Sequence, residues 1–537
     1  MTVPTRRVLF LIADTGGGHR SAANAIQHAM KLLSRSPEPA TSAPLRKGRS
    51  PGARPHAYAS PWEAEIVDAI KEYWRFPLRN GIFLYGPATR HAPRLYGQVF
   101  RLTNRTNGFQ VGWRLARPFF YQGIVRLLLD TQPDVIVSVH PLLNHVTVDV
   151  LRDLGLNIPF ITVVTDLVTV HCSWIAPGVT ACVVPTESAR EIALRGGMPA
   201  RRIHLLGMPI DPRFSQPPRM ARSELRRELG LDPDRPTILL VGGGEGAIGL
   251  AEATQAVGHS DLDAQMIVVT GRNETLRAEL EQARDTFRTK ATILGFVNTM
   301  PDMMHAADII VTKAGPGTIT EAMACGLPII LTGAVPGQEE GNVAFVVEHD
   351  LGVLARSPAS VVSALRGLLE PDSPRLEELR ANVRRMSRPG AAFDIAKLIF
   401  DRLPPPGAPA VWPRVRRPRA ARLAAASGSR VGAAPLGHRG LRPLSPRVRA
   451  VSVPMSRLAL MTRPLRGRGV GGLSPRPLHV RGRRIIPRPS QLPRLADLAS
   501  ARSLLLRGTQ LGKLQLWRPG GRRGRHDAGA PLGRGGR

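Results

Sequence analysis

A chain of 537 residues, 43% of them hydrophobic, is long enough for two or three domains with cores of their own. Its three cysteines, Cys172, Cys182 and Cys325, have no metal-like spacing, which argues against a disulfide scaffold or a zinc site and points to a reducing compartment. The formal charge of +33 resembles a nucleic-acid signal, but residues 403–537 hold 29 Lys and Arg against two Asp, so only about +6 belongs to the rest.

Taken in order, the chain opens with an apolar run, VLFLIAD (8–14), then glycines in TGGGHR (15–20), then SAANAIQHAMKLL (21–33) with helical spacing. The run is too short for the apolar part of a signal peptide and leads straight into glycines, so it reads as a buried strand. Residues 34–60 are rich in Pro, Ser and Arg without periodicity and read as a disordered insertion. AEIVDAI (64–70) reads as the next strand. In residues 71–126 aromatics are interleaved with arginines and acids are scarce. Two readings stand side by side. Either helices bury the aromatics and leave the arginines in water, or an interfacial surface wedges aromatics into lipid and pairs arginines with anionic headgroups. On the second, Trp74, Phe83 and Arg94 are acceptor and membrane contacts.

Strand and helix then alternate: DVIVSVH (134–140), a helix near 146–154, FITVVTD (160–166), ACVVPT (181–186), a helix over 187–195, and RIHLLGMP (202–209). Residues 209–218 read as a linker. A second set follows with a helix over 223–229, TILLVGGGEGAIGL (237–250), MIVVTGRN (266–273), ATILGFV (291–297) and the stretch VTKAGPGTITEAMACGLPIILTGAVPGQEEGN (311–342). Such alternation predicts parallel sheets covered by helices. The expected fold is therefore α/β, two doubly wound Rossmann-like domains (1–210 and 219–388) facing a cleft, closed by a helix over 389–403. No apolar segment is long enough to span a bilayer, the longest (158–170) being broken by Asp166, so any membrane role is expected to be peripheral. From Leu403 onward there is no Phe, Tyr or Glu, and Lys513 is the only Lys. Residues 404–537 therefore read as a disordered basic tail. It is either a polybasic arm or an extension without an evolved role, of the composition that GC-rich DNA encodes in almost any frame.

Glycine-rich strand-to-helix turns mark the candidate sites. In 311–342 a strand turns through Gly315, Pro316 and Gly317 into a helix near Thr318 that carries Glu321. Free N–H groups and the helix dipole make an anion site there. An acid one turn into the helix suits ribose hydroxyls, and Gln338, Glu339 and Asn342 on the following loop suit a sugar. The unit reads as a cradle for a nucleotide-sugar. GGGEG (242–246), with Gly243 and Gly244, is weak evidence alone and better when paired with AGPGT. Arg272 and Lys313 are candidate cations for a diphosphate. His19, at a helix N-terminus behind glycines, reads as a general base, because a neutral imidazole there can take a proton from a hydroxyl. Asp166, at a strand's carboxyl end, either orients His19, binds an acceptor or caps a turn. His140, His145 and His171 fit no usual metal spacing, so no metal is expected.

Together ADTGGGHRSAANAI, SVHPLLNHV, VVTDLVTVHCSW, LVGGGEG, KAGPGTITEA and PGQEEGNV resemble the monogalactosyldiacylglycerol synthase family over about residues 6–400. The resemblance extends to the diacylglycerol glucosyltransferases and, more remotely, to the peptidoglycan N-acetylglucosaminyltransferase. It implies a GT-B fold and an inverting, metal-independent, cofactor-free transfer of galactose or glucose from a UDP-sugar to diacylglycerol, at the cytoplasmic face of a membrane. It implies His19 as base, Gly243, Gly244, Gly317 and Thr318 at the diphosphate, and Glu321 at the ribose. It also implies Gln338 and Glu339 near the sugar with Asn342 in support, and Phe296 and Val297 along the uracil. A lipid-linked cell-wall precursor is the alternative acceptor. A nucleic-acid-binding protein is the rival from another class; it rests on the tail alone, and no specific nucleic-acid partner is expected.

Overall fold

Strand β1 (Arg6–Ile12) is buried on both faces. Leu9 and Leu11 join a cluster with Ile70, Ile124 and Leu127, while Val8, Phe10 and Ile12 join another with Ile26 and Met30. A parallel strand covered on both sides has no polar face, which is why this segment reads as an unbroken apolar run. The computed structural model describes residues 5–14, 17–35, 58, 61–74, 92–104, 106–242, 249–405 and 412.

The first sheet is parallel, in the order β2-β1-β3-β4-β5-β6. Its other strands are β2 (Trp62–Asp68), β3 (Val135–Ser138), β4 (Phe160–Val163), β5 (Ala181–Val184) and β6 (Ile203–Leu205). Register is set on both sides of β1, with Arg6 opposite Trp62 and Val8 opposite Val135. Helices α1 (Gly18–Arg35), α2 (Ala69–Tyr73), α3 (Pro93–Thr103), α4 (Thr106–Thr131), α5 (Asn144–Asp153) and α6 (Glu187–Arg195) belong to this lobe. On α1 the residues Ala22, Ile26, Ala29, Met30 and Leu33 recur at helical spacing and form its buried face. The helix runs through Ser34 and Arg35, the first two residues of the stretch read as an insertion; of the remainder only Tyr58 is described, its ring 5.0 Å from that of Phe400, and the other residues of 36–60 lie outside the described ones. Strand β2 also stops earlier than expected. The Asp68 carboxylate accepts from the Lys71 N–H at 2.9 Å and starts α2 there.

The second sheet is likewise parallel, in the order β12-β11-β10-β7-β8-β9. Its strands are β7 (Thr237–Val241), β8 (Gln265–Val269), β9 (Lys290–Leu294), β10 (Ile309–Thr312), β11 (Ile329–Leu331) and β12 (Gly352–Leu354). In chain order its helices are α7 (Arg222–Glu228), α8 (Leu250–Gly258), α9 (Glu274–Ala283), α10 (Met300–Ala306), α11 (Pro316–Ala324), α12 (Glu340–Glu348), α13 (Pro358–Leu368) and α14 (Pro374–Met386). The stretch expected to act as a linker is anchored, because Ile210 and Phe214 are buried members of the second lobe's core.

Helix α15 (Ala391–Arg402) returns to the first lobe, where Ile395, Ile399 and Phe400 pack with Val8, Phe10 and Ile26. Trp412, inside the segment read as tail, is also buried there, with its Nε1 donating to the Pro133 carbonyl at 3.0 Å. Apart from Pro404, Pro405 and Trp412, the basic tail lies outside the described residues. Among those residues no helix is long and apolar enough to cross a membrane.

Candidate active site

In doubly wound sheets ligands bind at the carboxyl ends of the strands, where the strand order reverses. In the first sheet that point lies between β1 and β3, and His19 follows one while His140 follows the other. The two imidazoles meet edge to face with ring centroids 4.6 Å apart, and Trp174 lies 6.2 Å from His19. His19 stands in the first turn of α1 and hydrogen-bonds through Nδ1 with Thr165 Oγ1 at 3.2 Å and also with the Val139 backbone. Burial pushes its pKa down to about 4, against weaker upward pulls from Val139 and Asp14. The imidazole is therefore neutral at pH 7 and can accept a proton. Burial and the neighbouring His19 hold His140 well below its ordinary value too.

Of the roles open to Asp166, orienting His19 is not the one its contacts show. The hydrogen bond to His19 comes from the residue before it, Thr165, and Asp166 accepts from Trp174 Nε1 at 2.6 Å and from Gln338. Burial raises the Asp166 pKa to about 6 despite these donors. The other histidines separate, His145 beside Trp113 and His171 against Phe100.

In the second sheet the order reverses between β7 and β10. Gly243 and Gly244, after β7, lie outside the described residues. After β10 the chain turns through Lys313, Ala314 and Gly315 into α11, whose N-terminus has no side-chain cap. Its first-turn N–H groups, those of Gly317 and Thr318 among them, have no intrahelical partner. A Cβ added to Gly317 would meet nothing within 4 Å, so the backbone there is open to approach. Glu321 follows one turn later, its carboxyl raised to about 7 first by burial and then by Asp211.

The loop after β11 and the first turn of α12, where Asn342 lies and not on the loop as expected, brace this turn. Asn342 Nδ2 donates to the Ala314 carbonyl at 2.9 Å from a buried position. The buried Glu339 carboxylate takes the Lys313 ammonium and the Val335 N–H (2.9 Å). The two groups expected to face the sugar and the diphosphate are here bound to each other. Gln338 reaches across the cleft to Tyr96, whose hydroxyl donates to Gln338 Oε1 at 2.9 Å. At the ends of β8 and β9 the Arg272 guanidinium lies 5.3 Å from the centre of the Phe296 ring. That ring is 57% exposed, while Val297 packs partly against the core.

Among the described residues of 71–126, most aromatics pack inward, as on the first of the two readings. Trp74, expected as a membrane contact, is buried with its ring centroid 3.7 Å from that of Phe120. Phe83 lies outside the described residues. Arg94 is exposed on α3. Besides Phe119 on α4, 42% exposed, the large apolar residues among these that face outward are aliphatic: Leu95, Val99 and Leu102 on α3, at 60%, 50% and 62% exposure. Their i, i+4, i+7 spacing is present in the sequence, interleaved with the aromatics of the same segment. Nothing local marked Thr165 or Tyr96.

Residues 55–210 match the family described as monogalactosyldiacylglycerol (MGDG) synthase, and residues 237–357 the glycosyltransferase family 28 C-terminal domain. A probable chloroplastic monogalactosyldiacylglycerol synthase of Glycine max is 35% identical over 404 residues, covering 73% of this chain and 70% of that protein. The chloroplastic monogalactosyldiacylglycerol synthase 1 of Arabidopsis thaliana is 35% identical over 403 residues, with the same two shares. The solved MurG of Acinetobacter baumannii is 15% identical at a TM-score of 0.45, covering 74% of this chain and 99% of that one.

Proposed function

The chain belongs to the monogalactosyldiacylglycerol synthase family, and from that premise we propose that it transfers a galactosyl residue from UDP-galactose to the free hydroxyl of a 1,2-diacylglycerol, with inversion. The observation that carries this reading is a pair of facing ends. A neutral imidazole stands at the carboxyl ends of one sheet, an uncapped helix N-terminus at those of the other, and Gln338 joins the two lobes.

His19 takes the acceptor proton as the hydroxyl oxygen attacks the anomeric carbon. The bond from that carbon to the diphosphate oxygen breaks, and the leaving charge collects at the N–H groups of Gly317 and Thr318. Gly243 and Gly244 are proposed beside them. Glu321 takes the ribose, Phe296 and Val297 lie along the uracil, and Arg272 reaches the diphosphate. Lys313, Glu339 and Asn342 hold the loop that presents Gln338. The scheme calls on no metal and no cofactor, because the helix end supplies the positive potential.

We also propose peripheral attachment to anionic lipid. The exposed apolar stripe of α3, with exposed Arg94 beside it, supports this: apolar side chains enter the interface and the guanidinium pairs with a headgroup. The test is chromatography of the lipids formed by the full chain from diacylglycerol in anionic vesicles with UDP-galactose or UDP-glucose. A monogalactosyl lipid is expected. No glycosylated diacylglycerol from either donor overturns the reading.

A further inference from the structure

Helix α3 belongs to the first lobe, yet one of its faces is pressed onto the sugar loop of the second. Besides the Tyr96–Gln338 hydrogen bond, Arg101 pairs with the Glu340 carboxylate at 3.0 Å. Backbones approach closely between these contacts. A Cβ on Gly97 would stand 2.9 Å from the Pro336 Cβ, and one on Gly337 (φ +80°) would stand 3.2 Å from the Gly97 carbonyl oxygen. Two glycines facing one another permit a fit that any larger pair would wedge apart.

The Gln338 amide is fixed at both ends. An ionised carboxylate only accepts, so the amide NH₂ faces Asp166 and its oxygen faces the Tyr96 hydroxyl. Both anchors are first-lobe residues. A glutamine held in this way has one orientation to offer a sugar, and without the hydroxyl it can rotate.

We propose that Tyr96 is a positioning residue for the donor sugar, acting through Gln338, and that the sugar subsite of the second lobe is complete only when α3 of the first is seated on residues 335–340. This rests on the reading of Gln338 as a sugar contact. The nucleotide subsite, formed at α11, does not depend on α3.

The test is a double-mutant cycle on the full chain with Tyr96→Phe, Gln338→Ala and the pair. Tyr96→Phe is expected to leave UDP affinity within about twofold by calorimetry, which also reports folding. It is expected to lower kcat/KM for UDP-galactose about five- to tenfold, the worth of one hydrogen bond, and to narrow the preference for galactose over glucose. In the Gln338→Ala background the same change is expected to have no further effect. Unchanged donor kinetics and selectivity in Tyr96→Phe, or fully additive losses in the pair, overturn the proposal. If Gln338→Ala leaves both donor KM and selectivity untouched, the reading of Gln338 itself falls and takes this one with it.

Discussion

Replacing His19 with Gln keeps a group able to hydrogen-bond Thr165 but removes the one able to take a proton. Positioned proton transfer contributes ~10²- to 10⁴-fold, so kcat should fall by that factor, about 3–5 kcal/mol of barrier. UDP affinity should not change, because the nucleotide site is on the other lobe. The pKa sharpens the test. At about 4, His19 is roughly 90% neutral at pH 5, whereas a histidine at the ordinary 6.5 would be almost fully protonated there. The parent enzyme's rate should therefore show no limb at 6.5 that belongs to His19. Stability follows the same shift. Because the folded pKa is depressed from 6.5 to about 4, the contribution is fully present above 6.5 and is lost as pH falls through 4. It is worth at most about 3 kcal/mol. His19→Gln should flatten the stability change between pH 4 and 6.5 in urea titrations. A variant within tenfold of the parent in kcat, at equal UDP affinity, would refute the base assignment.

Other expectations follow from the same contacts. Protonation turns one Asp166 oxygen into a donor and weakens the carboxyl as an acceptor for Trp174 and Gln338, so donor kcat/KM should fall as pH drops through about 6, and Asp166→Asn should lack that limb in a pH profile. Because this carboxyl is raised, not depressed, its contribution to stability is present below about 3.8 and diminishes as pH rises through 6. Glu321→Ala should weaken UDP roughly tenfold or more by calorimetry, with a smaller change in kcat. Leu95, Val99 and Leu102 changed together to Ser should reduce vesicle sedimentation without lowering Tm, since these side chains face solvent. Trp412→Ala should destabilise the chain by about 3–5 kcal/mol in urea titrations, because it empties a buried site and strands the Pro133 carbonyl.

Buried parallel strands were legible in the sequence because their signal is local. VLFLI and TILLV are continuous apolar runs, each followed by glycines, and the turns carrying His19 and Gly317 come directly after strands. What failed to show was set by contacts distant in sequence. Thr165 meets His19 across 146 residues, and Tyr96 meets Gln338 across 242. Trp74 is core and not interface for a related reason. A tryptophan among arginines suits an interface, and only the Phe120 ring, 46 positions on, makes it core. Glu339 carried the right charge for a sugar contact, but the Lys313 ammonium that claims it lies on another strand end. Trp412 stood in a segment whose composition promised no packing, and its own burial depended on a carbonyl at Pro133.

The central claim is that one cleft joins a proton acceptor on the first lobe to a UDP-sugar on the second. It is tested most directly by the anomeric coupling, in a proton NMR spectrum, of the lipid that the full chain makes from UDP-α-galactose and diacylglycerol. A β-galactosyl diacylglycerol is predicted. An α-linked product, or sugar that reaches water but never lipid, would contradict it.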